Sequence, residues 1–386
     1  MKTAGIICEY NPFHKGHKYQ IARTKELCGA DFVVAIMSGN YVQRGDVSIF
    51  PKELRAKAAI ACGADLVLEI PTLFAMQSAE FFAQKGVEIA NSTGIVDFLS
   101  FGAECDDISQ ITTIADLLAN ETADFSQLLK ANLCKGLSYP VSRAEAIRNI
   151  LGEDAYKIIS TPNNILGVEY CKAIHNLKSS ITPVAIKRIG TNHDSSDVKD
   201  GFASATNLRQ LLLSGNSEAI FSFTPQEAHQ IFESAPLHST RSMEKAIIAE
   251  LIKIPLSKLA EISDVGEGME NRIKPAALKA SATEELIEMI KTKRYTHSRI
   301  RRILLSAYLG ITDADRNKPV PYIKILDHTE KGQQLISKMK KTATLPVVRN
   351  TSQINKLKNS EIKDFWERER TFDRIYELFR IQSVFH

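Results

Sequence analysis

The chain has 386 residues, of which 44% are hydrophobic and 24% charged, so it can bury a full core and exceeds the usual size of one compact domain. No apolar run approaches the roughly 18 residues that span a bilayer, and the first residues lack the long apolar segment of a signal peptide; both features exclude a membrane role, and we expect a soluble cytoplasmic protein. The six cysteines are scattered without a Cys-x-x-Cys pair, so we expect neither disulfides nor a protein-held metal.

The net charge of +4 is divided unevenly along the chain. Residues 1–240 carry a net charge of −5, whereas residues 241–386 carry +9, with clusters at "KTKRYTHSRIRR" (291–302) and "KMKK" (338–341). Lys and Arg bind phosphates largely without regard to base sequence, so this asymmetry favours a polyanionic partner on the second half. A solvated helical surface is the alternative explanation.

Short apolar runs recur along the first half and alternate with helical patterns. The first predicted strand is at 4–8, and the turn "EYNPFHKGH" (9–17) separates it from a helix that ends before Gly29. Further strands are predicted at 31–37, 65–70, 96–101 and 183–189, and the clearest helix runs from Pro51 to Gly63. This alternation indicates a parallel sheet covered on both faces, with ligands bound at the carboxyl ends of its strands.

The pattern becomes helical beyond about residue 226. Helices are predicted near 226–234, 242–262, 279–291 and 297–309, followed by the charged stretch "DFWERERTFDRIYELF". We therefore predict two domains: an α/β, Rossmann-like nucleotide-binding domain over 1–230, and a mainly helical, basic domain over 231–386 that binds a polyanion.

The turn after the first strand carries the strongest chemical signal. A helix that begins after Gly16 offers unpaired N–H groups and a positive dipole end, which together suit a phosphate. His14 and His17 can add donors there, while Lys15 and Lys18 raise the positive charge. The alternative is that one histidine caps the helix and the other packs against it.

The tetrapeptide "HKGH" after a first strand resembles the signature of the HIGH-motif nucleotidyltransferases. That superfamily often carries a second signature, roughly I-S-S-T-x-I-R, and this chain has "ASATNLR" at 203–209. Ser204, Thr206 and Arg209 match it, whereas Ala203 and Ala205 depart from it. The superfamily resemblance implies that the three matching residues meet the β- and γ-phosphates of ATP. An ordinary helix N-cap at Ser204 or Thr206 is the alternative.

A longer set of motifs resembles the bacterial tRNA(Met) cytidine acetate ligases. These motifs are "GIICEYNPFHKGHKYQ", "SGNYVQRG", "FGAE", "STPNNILGVEY" and "IKRIG". The resemblance implies that acetate and ATP form acetyl-adenylate, and that the acetyl group passes to N4 of the wobble cytidine of elongator methionine tRNA. The implied partners are thus ATP, acetate and tRNA, and Mg²⁺ is expected to arrive with ATP rather than in a dedicated carboxylate cage.

The resemblance also implies a set of ATP-binding residues, with His14 and His17 as the catalytic pair. The set comprises Ile7, Cys8, Glu9, Tyr10, Asn11, Pro12, Phe13, His14, Lys15, Gly16, His17, Lys18, Tyr19, Gln20, Gly102, Asn163, Arg188 and Ile189. For Gly102, Asn163 and Arg188 the alternatives are a turn glycine, a turn asparagine and a surface arginine. Asn40, Gln43 and Arg44 of "SGNYVQRG" either line the acetate or cytosine pocket or form a surface turn.

Two other functions compete with the ligase. A small-molecule adenylyltransferase that keeps a nucleotide product would share the histidine motif, but such enzymes are usually much shorter. A noncatalytic RNA-binding protein with a relic ATP site is the third possibility, and the intact His14, Gly16 and His17 argue against it.

Overall fold

The fold was analysed in a computed structural model, which describes residues 1–188, 204–378 and 380–381. The strands in the described residues are β1 (Thr3–Cys8), β2 (Phe32–Ser38), β3 (Tyr41–Val42), β4 (Asp46–Val47), β5 (Leu66–Ile70), β6 (Phe98–Ala103), β7 (Thr182–Lys187), β8 (Leu237–His238), β9 (Ile323–His328), β10 (Val347–Val348) and β11 (Arg380–Ile381).

Helices dominate the rest of the described chain. The first twelve are α1 (Lys15–Cys28), α2 (Lys52–Ala61), α3 (Thr72–Ala75), α4 (Ala79–Ser92), α5 (Ile108–Ala119), α6 (Ala123–Cys134), α7 (Tyr139–Leu151), α8 (Glu153–Ile159), α9 (Pro162–Asn176), α10 (Ala205–Leu213), α11 (Ser217–Phe221) and α12 (Gln226–Glu233). The remaining helices are α13 (Thr240–Lys253), α14 (Leu256–Ala260), α15 (Met269–Ala277), α16 (Thr283–Ile290), α17 (His297–Leu309), α18 (Asp313–Arg316), α19 (Gln333–Thr342), α20 (Thr351–Asn355) and α21 (Ser360–Leu378).

A seven-stranded sheet forms the centre of the molecule, in the order β10-β9-β5-β2-β1-β6-β7. Strands β5, β2, β1, β6 and β7 are mutually parallel, which confirms the predicted parallel sheet. Every residue of β2, "FVVAIMS", is buried, as expected for a strand that helices cover on both faces. The carboxyl ends of β1, β2, β6 and β7 therefore meet at one edge of the sheet.

Two different helical layers cover the sheet. Ile6 points into the layer that contains α1, α2, α10 and α12, whereas its neighbour Ile7 points into the layer that contains α4, α5 and α9. Successive side chains of a strand point to opposite faces, so β1 contributes to both cores. At its carboxyl end, β1 thus lies between a wall made by α1 and α10 and a wall made by α4 and α9.

The C-terminal part of the chain is mainly helical, as predicted, but it also extends the sheet. Strand β9 pairs antiparallel with β5, and β10 pairs parallel with β9. One hydrophobic cluster includes both Ile7 and Tyr376, so the core crosses the domain boundary predicted after residue 230. The physical reason is that β5 would otherwise leave an edge of unpaired backbone groups, which β9 covers.

A small hairpin, β3–β4, joins the two parts of the chain beside the carboxyl edge of the sheet. Gly45 in its turn has φ +73°, and a Cβ there would lie 2.3 Å from the backbone nitrogen of Arg302, so only glycine permits this contact with α17. Helix α21 holds the other side, where the Tyr376 hydroxyl donates to the Ser48 carbonyl at 2.9 Å. No helix among the described residues is long and apolar enough to cross a membrane.

Candidate active site

A cavity of about 520 Å³ opens at the carboxyl edge of the sheet, where β1 ends. Its walls come from the turn after β1, the ends of β6 and β7, the starts of α4, α9, α10 and α17, and the β3–β4 turn. This is the position at which parallel α/β sheets bind ligands, and the volume lies within the usual range for small-molecule sites.

The turn after β1 is fixed by hydrogen bonds to Ile49 and to Arg209 of α10. Tyr10 has φ +49°, an unusual value for a residue with a side chain, and the Asn11–Pro12 peptide bond is cis. The Asn11 side-chain oxygen accepts a hydrogen bond from the Ile49 N–H at 2.8 Å, while the Asn11 carbonyl accepts one from Arg209 at 2.8 Å. The second sequence motif, which contains Arg209, therefore packs directly on the first.

His14 and His17 form a reciprocal cap at the start of α1. The Nδ1 atom of His14 accepts from the Gly16 N–H at 3.1 Å, and the Nδ1 atom of His17 accepts from the His14 N–H at 3.3 Å. Because each Nδ1 is an acceptor, a neutral ring carries its proton on Nε2. The alternative helix cap is thus observed, and it is compatible with the predicted phosphate site because the cap uses Nδ1 and leaves the ring proton on Nε2.

Lys15 and Lys18 are turned toward another part of the chain. The Lys15 ammonium donates to the Ser222 carbonyl at 2.6 Å, and Lys18 forms an ion pair with Glu227. Both side chains tie α1 to the segment that follows α10, and neither lines the cavity. This hydrogen bond and this ion pair hold the two ammonium groups away from the cavity, and the contact of both residues with ATP stays a prediction.

The predicted residues divide into three groups. Those that line the cavity are Ile7, Cys8, Glu9, Tyr10, Asn11, His17, Gln20, Gly102, Asn163, Arg188 and Arg209. Those nearby in the described structure that do not line it are Pro12, Phe13, His14, Lys15, Gly16, Lys18, Tyr19, Ser204 and Thr206. Ile189 lies outside the described residues.

The ends of β6 and β7 bring Gly102, Asn163 and Arg188 together. A Cβ at Gly102 would lie 3.3 Å from the Arg188 side chain, so the missing side chain lets the arginine lie across the end of β6. The Asn163 amide donates to the Glu104 carboxylate at 2.6 Å, and the same carboxylate accepts from the Asn164 N–H at 3.0 Å. Helix α9 is thus anchored with its first turn at the cavity.

The predicted loop "SGNYVQRG" is more than a surface turn. Gln43 and Arg44 line the cavity, and the Gln43 N–H donates to the Glu9 carboxylate at 2.7 Å. Asn40 does not line the cavity: its amide donates to Asp373 at 2.9 Å, and its side-chain oxygen accepts from the Lys52 N–H. Asn40 therefore stabilises the loop on the side away from the cavity, by hydrogen bonds to Asp373 and Lys52.

The start of α17 is a part of the site that the sequence analysis missed. Thr296, Ser298 and Arg302 line the cavity, although they lie in the segment predicted only to bind a polyanion. Arg302 is 7% exposed and forms an ion pair with Asp264 at 2.6 Å. Thr296 is a residue type that often caps helices, so the sequence could indicate where α17 begins. Nothing in the sequence indicates that this end of the helix lies against β1.

Arg55 is a second residue that the sequence did not reveal. It is fully buried, and its guanidinium donates to the carbonyls of Phe50 at 3.0 Å and Ser38 at 3.2 Å, and also to those of Glu9 and Gly39. One side chain thereby fixes the ends of both β1 and β2. Burial raises the pKa of the Cys8 thiol beside it well above the usual value, which disfavours the reactive thiolate.

Comparison with known proteins identifies the family of this chain. A family model described as HIGH Nucleotidyl Transferase matches residues 1–384. A tRNA(Met) cytidine acetate ligase of Acetivibrio thermocellus is 40% identical over 90% of this chain and 88% of its own length, and one of Thermoanaerobacter sp. is 38% identical over 98% and 95%. The chain belongs to the tRNA(Met) cytidine acetate ligase family.

Solved structures of this family show the same fold. The crystal structure of Thermotoga maritima TmcAL (apo, form I) superposes with a TM-score of 0.94 at 30% identity, over 98% of this chain and 95% of that one. A second crystal form of the same protein, bound with alpha-thio ATP, gives a TM-score of 0.91 over the same shares. The predicted fold class and family are therefore confirmed.

Proposed function

We propose that this protein activates acetate with ATP and transfers the acetyl group to N4 of the wobble cytidine of elongator tRNA(Met). The observation that carries the proposal is the convergence at the end of β1 of His17, Arg209 and the N-terminus of α1 in a chain of this family. Cationic and N–H donors around one point suit a phosphorus atom that gains negative charge during the reaction.

The first step needs positioning rather than a protein nucleophile. One oxygen of acetate bonds to the α-phosphorus of ATP, the bond to the bridging oxygen of the β-phosphate breaks, and pyrophosphate leaves with that electron pair. His17 and Arg209 would stabilise the charge on the phosphates, and the positive dipole end of α1 adds to this, although the first N–H groups of α1 donate to Phe223 and His14. The protonated Cys8 thiol is consistent with a site that holds no activated cysteine.

The second step moves the acetyl group to the nucleic acid. N4 of cytosine attacks the carbonyl carbon of acetyl-adenylate, the bond between that carbon and the AMP oxygen breaks, and N4 loses one proton. The product is N4-acetylcytidine, and AMP is released. Acetate alone would not react, because its carboxylate has no leaving group.

The nucleotide is proposed to lie along the ends of β1, β6 and β7. Gly102 allows close approach, Asn163 presents its amide, and Arg188 supplies a cationic fork at the edge of the cavity. His14 is proposed to position His17 rather than to contact the phosphates, because it does not line the cavity and its ring stacks on His17 with 3.7 Å between centroids. Ser204 caps α10 through the Asn207 N–H at 3.2 Å and so presents Arg209.

Mg²⁺ is proposed to arrive bound to the phosphates of ATP. Among the described residues no group of three or more His, Cys, Asp or Glu side chains could hold a metal ion, and Glu9 is the one carboxylate that lines the cavity there. The tRNA is proposed to bind mainly to residues 231–386, which carry the basic excess. Six free thiols and a nucleic-acid substrate favour the cytoplasm as the location.

The test is a complete reaction with separate readouts for each step. The protein is incubated with ATP and labelled acetate, and acetate-dependent exchange of pyrophosphate into ATP reports adenylation. Bulk tRNA is then added, and nucleosides are analysed by mass spectrometry after digestion. We expect N4-acetylcytidine in elongator tRNA(Met), with AMP as the second product. Two outcomes would contradict the proposal. One is pyrophosphate exchange without acetate, and the other is label that stays on a free mononucleotide and does not pass to tRNA.

A further inference from the structure

Apart from Asn163 at the start of α9, the wall of the cavity formed by α4 and α9 has no role in the reaction as described so far. Where α1 and α10 present His17 and Arg209, this opposite wall presents mainly apolar side chains, among them Phe82 and Leu166. Phe82 is 3% exposed and Leu166 is partly buried. The two walls lie on opposite faces of the sheet, so a ligand above β1 meets phosphate-binding groups on one side and hydrocarbon on the other.

Tyr170 is a second polar residue of this mainly apolar wall, beside Asn163 at the start of α9. Its side chain is 4% exposed, lines the cavity, and makes no hydrogen bond to any residue that the structure describes. Its ring is held at 5.7 Å from the Phe101 ring, between centroids. Side chains of a helix tilt toward its N-terminus, so Tyr170 points along α9 toward the turn that opens on the cavity.

Leu166 and Tyr170 form one surface, because residues four apart share a helix face. Burial, with the nearby Cys8 and Glu9, raises the pKa of the Tyr170 phenol, so the hydroxyl stays protonated and can donate. A hydroxyl that belongs to a nearly buried side chain at a cavity wall can be satisfied by a ligand that accepts its hydrogen bond. Beyond Asn163 at the start of α9, the wall therefore offers one donor surrounded by hydrocarbon.

The direction of the first chemical step decides which substrate group suits this wall. In a phosphoryl displacement the attacking and leaving oxygens lie roughly in line on opposite sides of the phosphorus. If pyrophosphate leaves toward His17 and Arg209, the attacking carboxylate must come from the side of α4 and α9. Acetate consists of a carboxylate that accepts hydrogen bonds and a methyl group that needs an apolar contact.

We propose that the wall of α4 and α9 is the acyl pocket of this enzyme, in which the Tyr170 hydroxyl donates to the carboxylate of acetate while Phe82 and Leu166 enclose its methyl group. The proposal rests on the proposed function, since it names the subsite for one of its substrates. Phe82 and Leu166 limit the length of the acid, and Tyr170 keeps one carboxylate oxygen in place while the other attacks the α-phosphorus.

The first test is Tyr170→Phe, which keeps the ring and removes the donor. In acetate-dependent ATP–pyrophosphate exchange we expect the KM for acetate to rise about 10- to 100-fold, the range for a hydrogen bond to a charged group, with the KM for ATP within twofold of wild type. Tyr156→Phe, on α8 outside the cavity, is the matched control and leaves both values unchanged. An equal rise in both KM values, or no change in either, overturns the proposal.

The second test enlarges the pocket with Leu166→Ala. We expect kcat/KM for propionate, relative to that for acetate, to rise about tenfold, which is the typical value of one methylene in an apolar pocket. Leu129→Ala, a partly buried leucine of α6 away from the cavity, controls for general loosening. An unchanged ratio in a folded Leu166→Ala protein overturns the proposal. Wild-type protein that shows no acetate-dependent exchange overturns the proposed function as well, which separates the two failures.

Discussion

The rings of His14 and His17 stack with 3.7 Å between their centroids, and the His14 N–H donates to the Nδ1 atom of His17. This pairing gives each imidazole two separable tasks. Nδ1 completes the first turn of α1, and Nε2 is the atom that can donate to a phosphate. Removal of a whole ring therefore affects both stability and chemistry, which a suitable pair of substitutions can separate.

We predict that His17→Asn and His17→Gln have different effects. The asparagine amide reaches the position of Nδ1, so His17→Asn keeps the cap and the melting temperature but lowers pyrophosphate exchange about 10²–10³-fold, as for the loss of one transition-state donor. The glutamine amide reaches the position of Nε2, so His17→Gln keeps more exchange but loses about 1 kcal/mol of stability with the cap. Thermal unfolding and exchange rates measured on both proteins check this, and equal losses of exchange would exclude a donor role for Nε2.

Arg209 links the two sequence motifs through the Asn11 carbonyl, and it also donates to the Thr206 hydroxyl at 3.1 Å. We predict that Arg209→Lys weakens ATP binding and lowers exchange at least tenfold, because one ammonium cannot hold the turn and the phosphates together. Titration calorimetry with ATP is the measurement. Arg148→Lys, in an exposed ion pair with Glu153 on the surface, is the control and should bind ATP normally. Normal ATP affinity in Arg209→Lys would contradict the assignment.

We predict that the protein loses stability as the pH rises, because the carboxyl of Glu369 is buried. Burial, with Glu69 and Asp373 nearby, raises the pKa of this carboxyl to about 7, although the N–H groups of Thr72 and Leu73 donate to it. The Glu369 carboxyl ionises near pH 4.5 in the unfolded chain but only near pH 7 in the folded protein. The free energy of unfolding therefore decreases by about 3 kcal/mol, from this group alone, as the pH rises from 4.5 to 7.

The measurement for Glu369 is urea unfolding of wild type and Glu369→Gln at several pH values between 5 and 8. Because the variant cannot ionise at this position, its stability relative to wild type should rise across that window. Glu361→Gln, which is exposed in the first turn of the same helix, should show no such trend. A constant difference between wild type and Glu369→Gln would show that the carboxyl ionises normally in the folded protein.

The sequence predicted the parallel strands well because each is a short buried run between clear breakers. Strand β5, predicted over 65–70, is observed at Leu66–Ile70, and the helix after Pro51 is observed at Lys52–Ala61. Strand β9 was missed because it lies in a charged segment, and its pairing with β5 is a contact between residues more than 250 positions apart. Local patterns carry no information about such pairing.

The candidate site was predicted in part for the same reason. The turn after β1 has a local motif, so residues 7–20 could be singled out, but a motif does not tell which side chains face the cavity. Lys15 and Lys18 show this, since both pair with the segment after α10. Thr296 and Ser298 reach the site only because Gly45 lets α17 approach the β3–β4 turn, a contact without a local signature.

The arginines of the basic cluster at 291–302 do not form the one exposed surface that the clustered charge predicted. Arg301 is exposed and pairs with Glu284 at 3.0 Å, whereas Arg302 is buried against Asp264 and lines the cavity. Arg299 donates to the Asp264 carbonyl and lies over the Tyr295 ring. Joint neutralisation of all three arginines would therefore disturb the cavity itself.

We predict opposite outcomes for the two neighbouring arginines. Arg301→Gln should weaken tRNA binding and reduce the slope of log affinity against log salt by up to about 0.9, the value for one duplex phosphate contact, with pyrophosphate exchange unchanged. Arg302→Gln leaves the largely buried Asp264 carboxylate, which is 12% exposed, without this partner, so it should lower both exchange and thermal stability. Fluorescence anisotropy with tRNA over a salt series, beside the exchange assay, measures both.

Lys340→Gln is the control for this pair. Lys340 lies in the last turn of α19, which packs beside Thr93 and Gly94. Because α19 follows the antiparallel β9, it lies at the end of the sheet opposite the cavity. A tRNA whose wobble base reaches the cavity is not expected to touch that end, so the salt slope should match wild type. A reduced slope in Lys340→Gln but not in Arg301→Gln would move the proposed tRNA surface to α19. The nucleic acid would then have to extend from one end of the sheet to the other to deliver cytidine N4 to the acetyl-adenylate.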